Sequence, residues 1–415
     1  MTRPWRKPRV TPDDDAPKIR EFAGLVNTVS EKDVGLRALT IADNILISDS
    51  KKIRTRPGKT LYRAGAMRTA YVLGGALYVV DGGALQRVLD AATVVPLTSG
   101  LTGTDYCWDE VNGEAYFVNG VDAGIIRRGV YLPLRLPAPV LASVTVSSAG
   151  TAPAVPFNFG AKYTSALWRF CATYETADGR ESPPSEIYEL AAPPNTHGFR
   201  ATVAPLGVRT NVYVTEPDGT VFRLAATSAV GVPDITVLPS SANREFTQYN
   251  TFALPDEVDQ IAYWNARMWV AQYFASEDQS VVWKSRPFAY HLYDMGSDYM
   301  VLPGRVALLL WNNQGLLIGT TQAIYQHTDD GKLDMLVNYG VLPGVAGDLD
   351  AESMAYFWTT RGFCRAMPFE NLTEKQVGMP PGLRANTRLL YLDGMQQLVT
   401  VTQGGGTPFN ARSAL

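Results

Sequence analysis

The chain is divided into short apolar runs separated by Asn, Asp and Gly, and this pattern is most regular at residues 306–338, VALLLWNNQGLLIGTTQAIYQHTDDGKLDMLVN. Short apolar and β-branched runs between such turns predict antiparallel hairpins. No window of the stretch has a helical period. Four short antiparallel strands in sequence are typical of one blade of a β-propeller. The expected strands lie at 306–311, 316–320, 323–327 and 333–337.

The same pattern recurs along the chain as a small residue, an apolar-aromatic strand, a Gly-containing turn and a second strand. The interval from Gly74 to Asn112 is close to the repeat of about 40 residues that propellers show. We therefore predict an all-β protein with a six-bladed β-propeller. Besides 306–338, the predicted units lie at 68–89, 104–134, 258–286, 351–378 and 385–403.

Residues 137–252 depart from this pattern because their alternating strands are longer. The Asp178-Gly179 and Asp218-Gly219 turns predict hairpins within the segment. The pattern favours an inserted immunoglobulin or fibronectin-III-like β-sandwich, and an elaborated blade is the alternative. Strands are expected at 140–147, 168–175, 187–190, 200–203, 212–215 and 222–227. The predicted organisation is a flexible basic and acidic arm (1–21), an N-terminal propeller segment (22–136), the sandwich (137–252), a C-terminal propeller segment (253–403) and a flexible tail (404–415).

Residues 22–58 read FAGLVNTVSEKDVGLRALTIADNILISDSKKIRTRPG. This order, from Gly-Leu-Val-Asn-Thr through Ala-Asp-Asn and a basic hairpin to Arg-Pro-Gly, resembles the opening of β-propeller tail proteins of phages, which include the hub or nozzle subunits of short-tailed phages. The resemblance is close only in this segment. It implies a structural virion protein in a ring of six copies, with DNA passing through. The implied partners are a head-to-tail adaptor and tail fibre or needle proteins.

Two basic segments are candidate interaction surfaces. The terminal arm carries Arg3, Trp5 and Arg6 among prolines, and it is interpreted either as a frayed end or as an arm that orders on a neighbouring subunit or on DNA. The second segment is interpreted as a solvated hairpin rather than a nucleic-acid site, because no aromatic residue is interleaved to stack on bases. Its candidate residues are Lys51, Lys52, Arg54 and Arg56.

Composition narrows the choice of function. A net charge of −3 implies no strong general attraction to nucleic acid or membranes. The three cysteines are widely spaced and are expected to be buried thiols of a protein made in a reducing cytoplasm. No signal peptide and no run of about 18 apolar residues is found. We expect assembly in the host cytoplasm and a final location in the virion tail.

The sequence contains no recognisable catalytic or metal-binding motif. Its three histidines have no metal spacing, and neither a nucleophile elbow nor a phosphate-binding loop occurs. Asp294 and Asp298 are the best candidate acid pair for glycoside hydrolysis. Their loop, residues 290–299, fits equally well a subunit contact made by Tyr290 and Tyr293. We therefore predict no enzymatic activity, no cofactor, no metal and no small-molecule substrate.

Two functional classes follow from these patterns. The first is the structural tail subunit, which the resemblance at residues 22–58 favours. The second is a carbohydrate-binding or carbohydrate-active propeller, since many propellers act on sugars. Assembly into a ring distinguishes the first from a monomeric protein that binds glycans.

Overall fold

The computed structural model describes residues 64–146, 166–192, 198–229, 231, 233–235, 241–294, 296–350, 352–373, 382–392 and 395–403, together with four short strands before residue 56. The regular secondary structure of these residues consists entirely of β-strands. The predicted all-β class is therefore confirmed. By internal contacts the chain divides into two compact units. One comprises Met1–Leu61 with Ala346–Leu415, and the other is Tyr62–Val345.

The N-terminal segment of the first unit contributes two strand pairs. β1 (Gly24–Leu25) pairs in parallel with β2 (Ala38–Leu39), and β3 (Ile45–Ile47) pairs antiparallel with β4 (Ile53–Thr55). β4 lies inside the basic segment, which therefore contains one strand of a hairpin, as expected.

The second unit begins with two four-stranded antiparallel sheets in chain order. The strands of the first sheet are β5 (Met67–Leu73), β6 (Ala76–Asp81), β7 (Ala84–Val88) and β8 (Val94–Thr98). Those of the second sheet are β9 (Cys107–Val111), β10 (Glu114–Val118), β11 (Ala123–Arg127) and β12 (Val130–Pro133). Gly-containing turns join the first three strands of each sheet, as predicted, but β8 lies beyond the unit predicted at 68–89.

Residues 141–235 form two sheets that pack against each other, and we call this region the inserted module. Their orders are β13-β16-β19 and β15-β14-β17-β18. The shared core is built on Trp168, Phe170 and Phe199, all fully buried. The strands are β13 (Leu141–Val146), β14 (Ala166–Glu175), β15 (Tyr188–Ala192), β16 (Phe199–Val203), β17 (Arg209–Val214), β18 (Arg223–Ser228) and β19 (Asp234–Ile235). Six of these overlap the predicted strands, and β19 was not predicted.

Two further four-stranded ladders follow the module. The third sheet contains β21 (Val258–Trp264), β22 (Arg267–Phe274), β23 (Gln279–Arg286) and β25 (Tyr299–Pro303). At the end of β23 it is extended by β24 (Ala289–Tyr293) and β20 (Phe252–Ala253). The fourth sheet contains β26 (Val306–Asn312), β27 (Gly315–Thr320), β28 (Ile324–His327) and β29 (Leu333–Val337), in the order predicted. β30 (Gly344–Val345) ends the unit.

The four sheets pack face to face in chain order, and strand alternation explains how. Successive side chains of a strand point to opposite faces of the sheet. In β10, Phe117 packs toward the first sheet while its neighbour Tyr116 packs toward the third. In β22, Val270 packs toward the second sheet and Trp269 toward the fourth. A sheet covered on both faces needs apolar residues at consecutive positions, which is why these strands read as nearly continuous apolar runs.

The remaining strands belong to the first unit. A four-stranded sheet consists of β31 (Gly347–Leu349), β32 (Ala355–Thr359), β33 (Gly362–Ala366) and β34 (Glu370–Asn371). It begins before the unit predicted at 351–378. The unit predicted at 385–403 corresponds to one long hairpin, β35 (Arg384–Leu392) with β36 (Met395–Gln403).

Candidate functional site

Most of the basic residues singled out in the sequence lie outside the described residues of the chain. Arg54 lies in β4, where its backbone pairs with Leu46. Its candidate role and those of the other basic residues stay predictions. The predicted interaction residues outside the described residues are Arg3, Trp5, Arg6, Lys51, Lys52 and Arg56.

The two tyrosines predicted at a subunit contact lie in strand β24 rather than in a loop. Tyr293 is fully buried in the core between the second and third sheets, so the expectation that it forms a surface contact is wrong. Its hydroxyl donates to the backbone carbonyl of Tyr290 at 3.1 Å. Tyr290 is half-buried, and its ring meets the rings of Tyr116 and Tyr263 edge-on. Tyr293 alternates into the core because β24 extends the third sheet.

A network of ion pairs joins the inserted module to the second sheet. Asp178, in a turn of the module, accepts from Arg127 of β11 at 2.8 Å and from Arg180 at 2.6 Å. Arg127 also donates to Glu114 at 3.0 Å, and Arg180 donates to the carbonyl of Pro133 at 2.8 Å. Because the arginines are only 26% and 9% exposed, they lie where charge pairing is poorly screened by water. The network fixes the orientation of the module on the second sheet.

A buried histidine of the third sheet completes this joint. His291 Nε2 lies 2.8 Å from the Glu181 carbonyl oxygen, and since a carbonyl can only accept, Nε2 carries the proton. Burial lowers the pKa of His291 to about 4. The bond to Glu181 opposes this shift, and the charges of Arg180 and Arg127 reinforce it. The histidine is therefore neutral at pH 7 and holds the module to the third sheet.

A cleft of about 380 Å³ lies between the third and fourth sheets, at the low end of the size range of ligand sites. Its aromatic wall combines Trp264 of β21, Trp269 of β22 and His327 of β28. The ring centroids of the two tryptophans are 5.5 Å apart. His327 meets them edge-on at 5.5 and 5.3 Å. Because these side chains stand on strands of packed sheets, the wall is pre-formed.

The polar side of the cleft is organised by Asp298. Its carboxylate accepts from Arg267 at 2.9 Å and from Lys284 at 3.2 Å. Asp294, its suggested partner in acid catalysis, instead accepts from the backbone nitrogen of Gly296 at 3.0 Å. In the described structure Asp298 positions two cations beside the cleft, and Asp294 caps a loop.

His327 presents a defined tautomer to the cleft. Its Nδ1 lies 3.0 Å from the Lys332 carbonyl oxygen, so Nδ1 carries the proton and Nε2 is left as an acceptor. Burial is the main cause that lowers the pKa of His327, and Lys284 adds to it. Asp329 borders the cleft in the turn after β28. Its neighbour Asp330 pairs with Lys332 at 2.9 Å, as expected of a turn residue.

Sequence reasoning did not identify this cleft. Its tryptophans lie in the run IAYWNARMWV and its lysine in SVVWKSR, which the sequence predicts as strands. His327 lies some sixty residues further along the chain, and only the packing of the third sheet on the fourth brings it to Trp264. The one signal available in the sequence was the placement of Trp264 and Trp269 on either side of a tight hairpin turn.

Two negative findings hold for the described residues. No group of three or more His, Cys, Asp or Glu side chains is placed to hold a metal ion in that region of the chain. Within the same residues, no helix is long and apolar enough to cross a membrane.

Comparison with known proteins gives distant structural similarity and nothing closer. No family model matches, and no curated protein matches. A protein from Lactobacillus plantarum is 12% identical over 80% of this chain and 88% of its own, with a TM-score of 0.31. AztD from Citrobacter koseri is 12% identical over 79% and 89%, with a TM-score of 0.27. The extracellular domain of a hybrid two-component system from B. thetaiotaomicron is 10% identical over 81% of this chain, with a TM-score of 0.29, and the chain spans 37% of its length. These values assign no family and no function.

Proposed function

We propose that the protein is a structural subunit of a phage tail hub or nozzle, in which copies of the chain form a closed ring around the path of the ejected DNA. The observation that carries the proposal is the resemblance at residues 22–58. The series of face-to-face sheets with a module docked on it supplies the rigid framework that such a subunit needs. The proposed partners are further copies of the chain, a head-to-tail adaptor and tail fibre or needle proteins. The proposed location is the virion tail.

We further propose that the sheets are blades of a six-bladed propeller and that the inserted module is immunoglobulin-like. The fourth strand of each ladder has the smallest share of buried residues, as in β29, which is mostly exposed while β26 of the same sheet is mostly buried. This pattern supports a radial arrangement with the fourth strands outermost. The hairpin β35–β36 supplies two strands of a sixth blade. The pair β3–β4, which belongs to the same compact unit, is the proposed source of the other two.

Ring assembly is expected to depend on the terminal arm. We expect full-length protein at micromolar concentration to sediment as a species near six times the 45.3 kDa mass of one chain. A variant that lacks residues 1–17 is expected to assemble more weakly while keeping its near-ultraviolet circular dichroism. Equal assembly of both proteins would show that ring formation does not depend on the terminal arm.

The cleft between the third and fourth sheets favours a second function, carbohydrate binding. A rigid aromatic wall beside ordered polar groups is the arrangement that sugar rings require, with an apolar face and hydroxyl partners. Binding of a glycan by monomeric protein would favour this function over the ring.

A further inference from the structure

We propose that the cleft between the third and fourth sheets binds an acidic sugar, with the ring against Trp264 and the carboxylate beside Lys284 and Arg267. This inference rests on carbohydrate binding, the second function proposed above, and it specifies the class of sugar. The cleft lies wholly within the unit Tyr62–Val345, so its geometry depends on one compact body.

The aromatic wall provides the surface for a sugar ring. Trp264 is partly exposed, whereas Trp269 behind it is 4% exposed and donates from Nε1 to the Trp264 carbonyl at 3.2 Å. His327 packs against both rings. These contacts hold Trp264 in place before a ligand arrives, and a pre-organised ring loses little entropy on binding. Tyr299, at the border of the cleft, is 48% exposed and is held by the Trp283 ring at 5.2 Å.

The charge balance beside this wall selects an anion. Among the ion pairs of the described residues, Arg267 and Lys284 share the single carboxylate of Asp298, so the ion pairs at the polar side of the cleft carry one surplus positive charge. Their side chains are 26% and 33% exposed, so this charge is partly shielded from water. Nη1 of Arg267 donates to both Asp298 and the Ser285 carbonyl, and the side chain of Lys284 is slightly more exposed than that of Arg267, so Lys284 is the more available cation.

The remaining polar groups suit sugar hydroxyls. Asp329 is exposed at the border, where water and salt screen its charge, and its carboxylate can accept from hydroxyl groups. Nε2 of His327 is a second acceptor, and Asn265 offers both a donor and an acceptor. A ring that carries one carboxylate and several hydroxyls therefore matches the apolar wall, the surplus cation and the acceptors together.

The test uses full-length protein and isothermal titration calorimetry with four probes. These are N-acetylneuraminic acid, glucuronic acid, methyl glucoside as the neutral sugar, and acetate as a carboxylate without a ring. We expect at least one acidic sugar to bind at least tenfold more tightly than methyl glucoside, and acetate to bind more weakly than that sugar. Lys284→Met is expected to abolish the preference, and Trp264→Ala to abolish binding. Arg87→Ala, an exposed charge on the first sheet, is the matched control and should change nothing.

Each of the other outcomes refutes a specific part of the proposal. Equal binding of acidic and neutral sugars refutes the acidic class while carbohydrate binding stands. Binding of acetate as tight as that of the acidic sugars shows that the aromatic wall contributes nothing and also refutes the proposal. If no sugar binds to folded protein, as judged by near-ultraviolet circular dichroism, both the proposal and the carbohydrate-binding function fail. None of these measurements reports the oligomeric state, so failure of the acidic-sugar proposal is distinguishable from failure of the ring proposal.

Discussion

Arg127 of the second sheet and Asp178 of the inserted module form an ion pair, with Nη1 lying 2.8 Å from Oδ2. Arg127 precedes the module in the chain and Asp178 lies within it. The pair therefore links two bodies that have separate hydrophobic cores. Asp178 also holds Arg180, so one carboxylate pairs with two guanidinium groups. The joint is therefore sensitive to a single change.

Asp178→Asn should destabilise the protein by about 1–3 kcal/mol, because two poorly exposed arginines lose their shared anion. Urea unfolding at pH 7.5 measures the change. The matched control is Asp234→Asn in the same module, which breaks the exposed pair with Arg200 and should cost less than about 1 kcal/mol. Equal effects of the two substitutions would show that the joint does not contribute to stability.

The contribution of His291 to the free energy of unfolding should be lost as the pH is lowered from 6.5 toward 4. Folding depresses the pKa of His291 from its ordinary value of 6.5 to about 4, so the unfolded chain binds this proton first. The stability contribution is complete above pH 6.5 and is lost as the pH falls through this window. Between pH 7.5 and 4.5 this contribution falls by about 2.5 kcal/mol. Burial raises the pKa of Asp259 to about 6, so that group shifts stability in the opposite direction over the same range. Asp178 does not mask the effect, because arginine and Thr176 hydrogen bonds outweigh burial and hold its pKa below the ordinary value.

The variant His291→Gln isolates this contribution. Its unfolding free energy, measured in urea at several pH values, should lack the component of the pH dependence that belongs to His291. An unchanged slope in the variant would mean that His291 does not titrate differently in the folded and unfolded chains.

The inserted module should be removable. Arg135 donates to the carbonyls of Leu254 and Pro255 at 3.1 and 2.6 Å, so the chain enters and leaves the module at adjacent points. Replacing residues 137–250 with a short Gly/Ser linker retains β20 and should leave a cooperatively folded protein. Near-ultraviolet circular dichroism and urea unfolding check this. A molten product would show that the sheets need the module in order to pack.

Local sequence patterns were sufficient to predict the strands of the fourth sheet. In the fourth sheet, residues 333–337 form β29 as predicted. The Asp and Gly residues of the preceding turn and the apolar runs on either side of it all indicate the same hairpin. Six of the seven strands of the inserted module were also predicted, since their apolar and polar residues alternate over longer runs. The short β19 has too few residues for an alternating pattern to show.

Contacts between sheets were not predictable in the same way. Tyr290 and Tyr293 share a short aromatic run, and no local rule distinguishes the half-buried ring from the one in the core. The joint needs Arg127 and Asp178, which lie 51 residues apart. The cleft likewise requires two sheets to pack in one register, which depends on the whole core rather than on any segment.

Electron microscopy of the full-length protein at micromolar concentration shows directly whether the chain closes into a ring. We expect closed rings with a central channel, most often with six subunits, in which each subunit carries a module projecting from one side. Particles that remain single subunits, or that form open filaments without closure, would contradict the proposal that the chain forms a conduit for DNA.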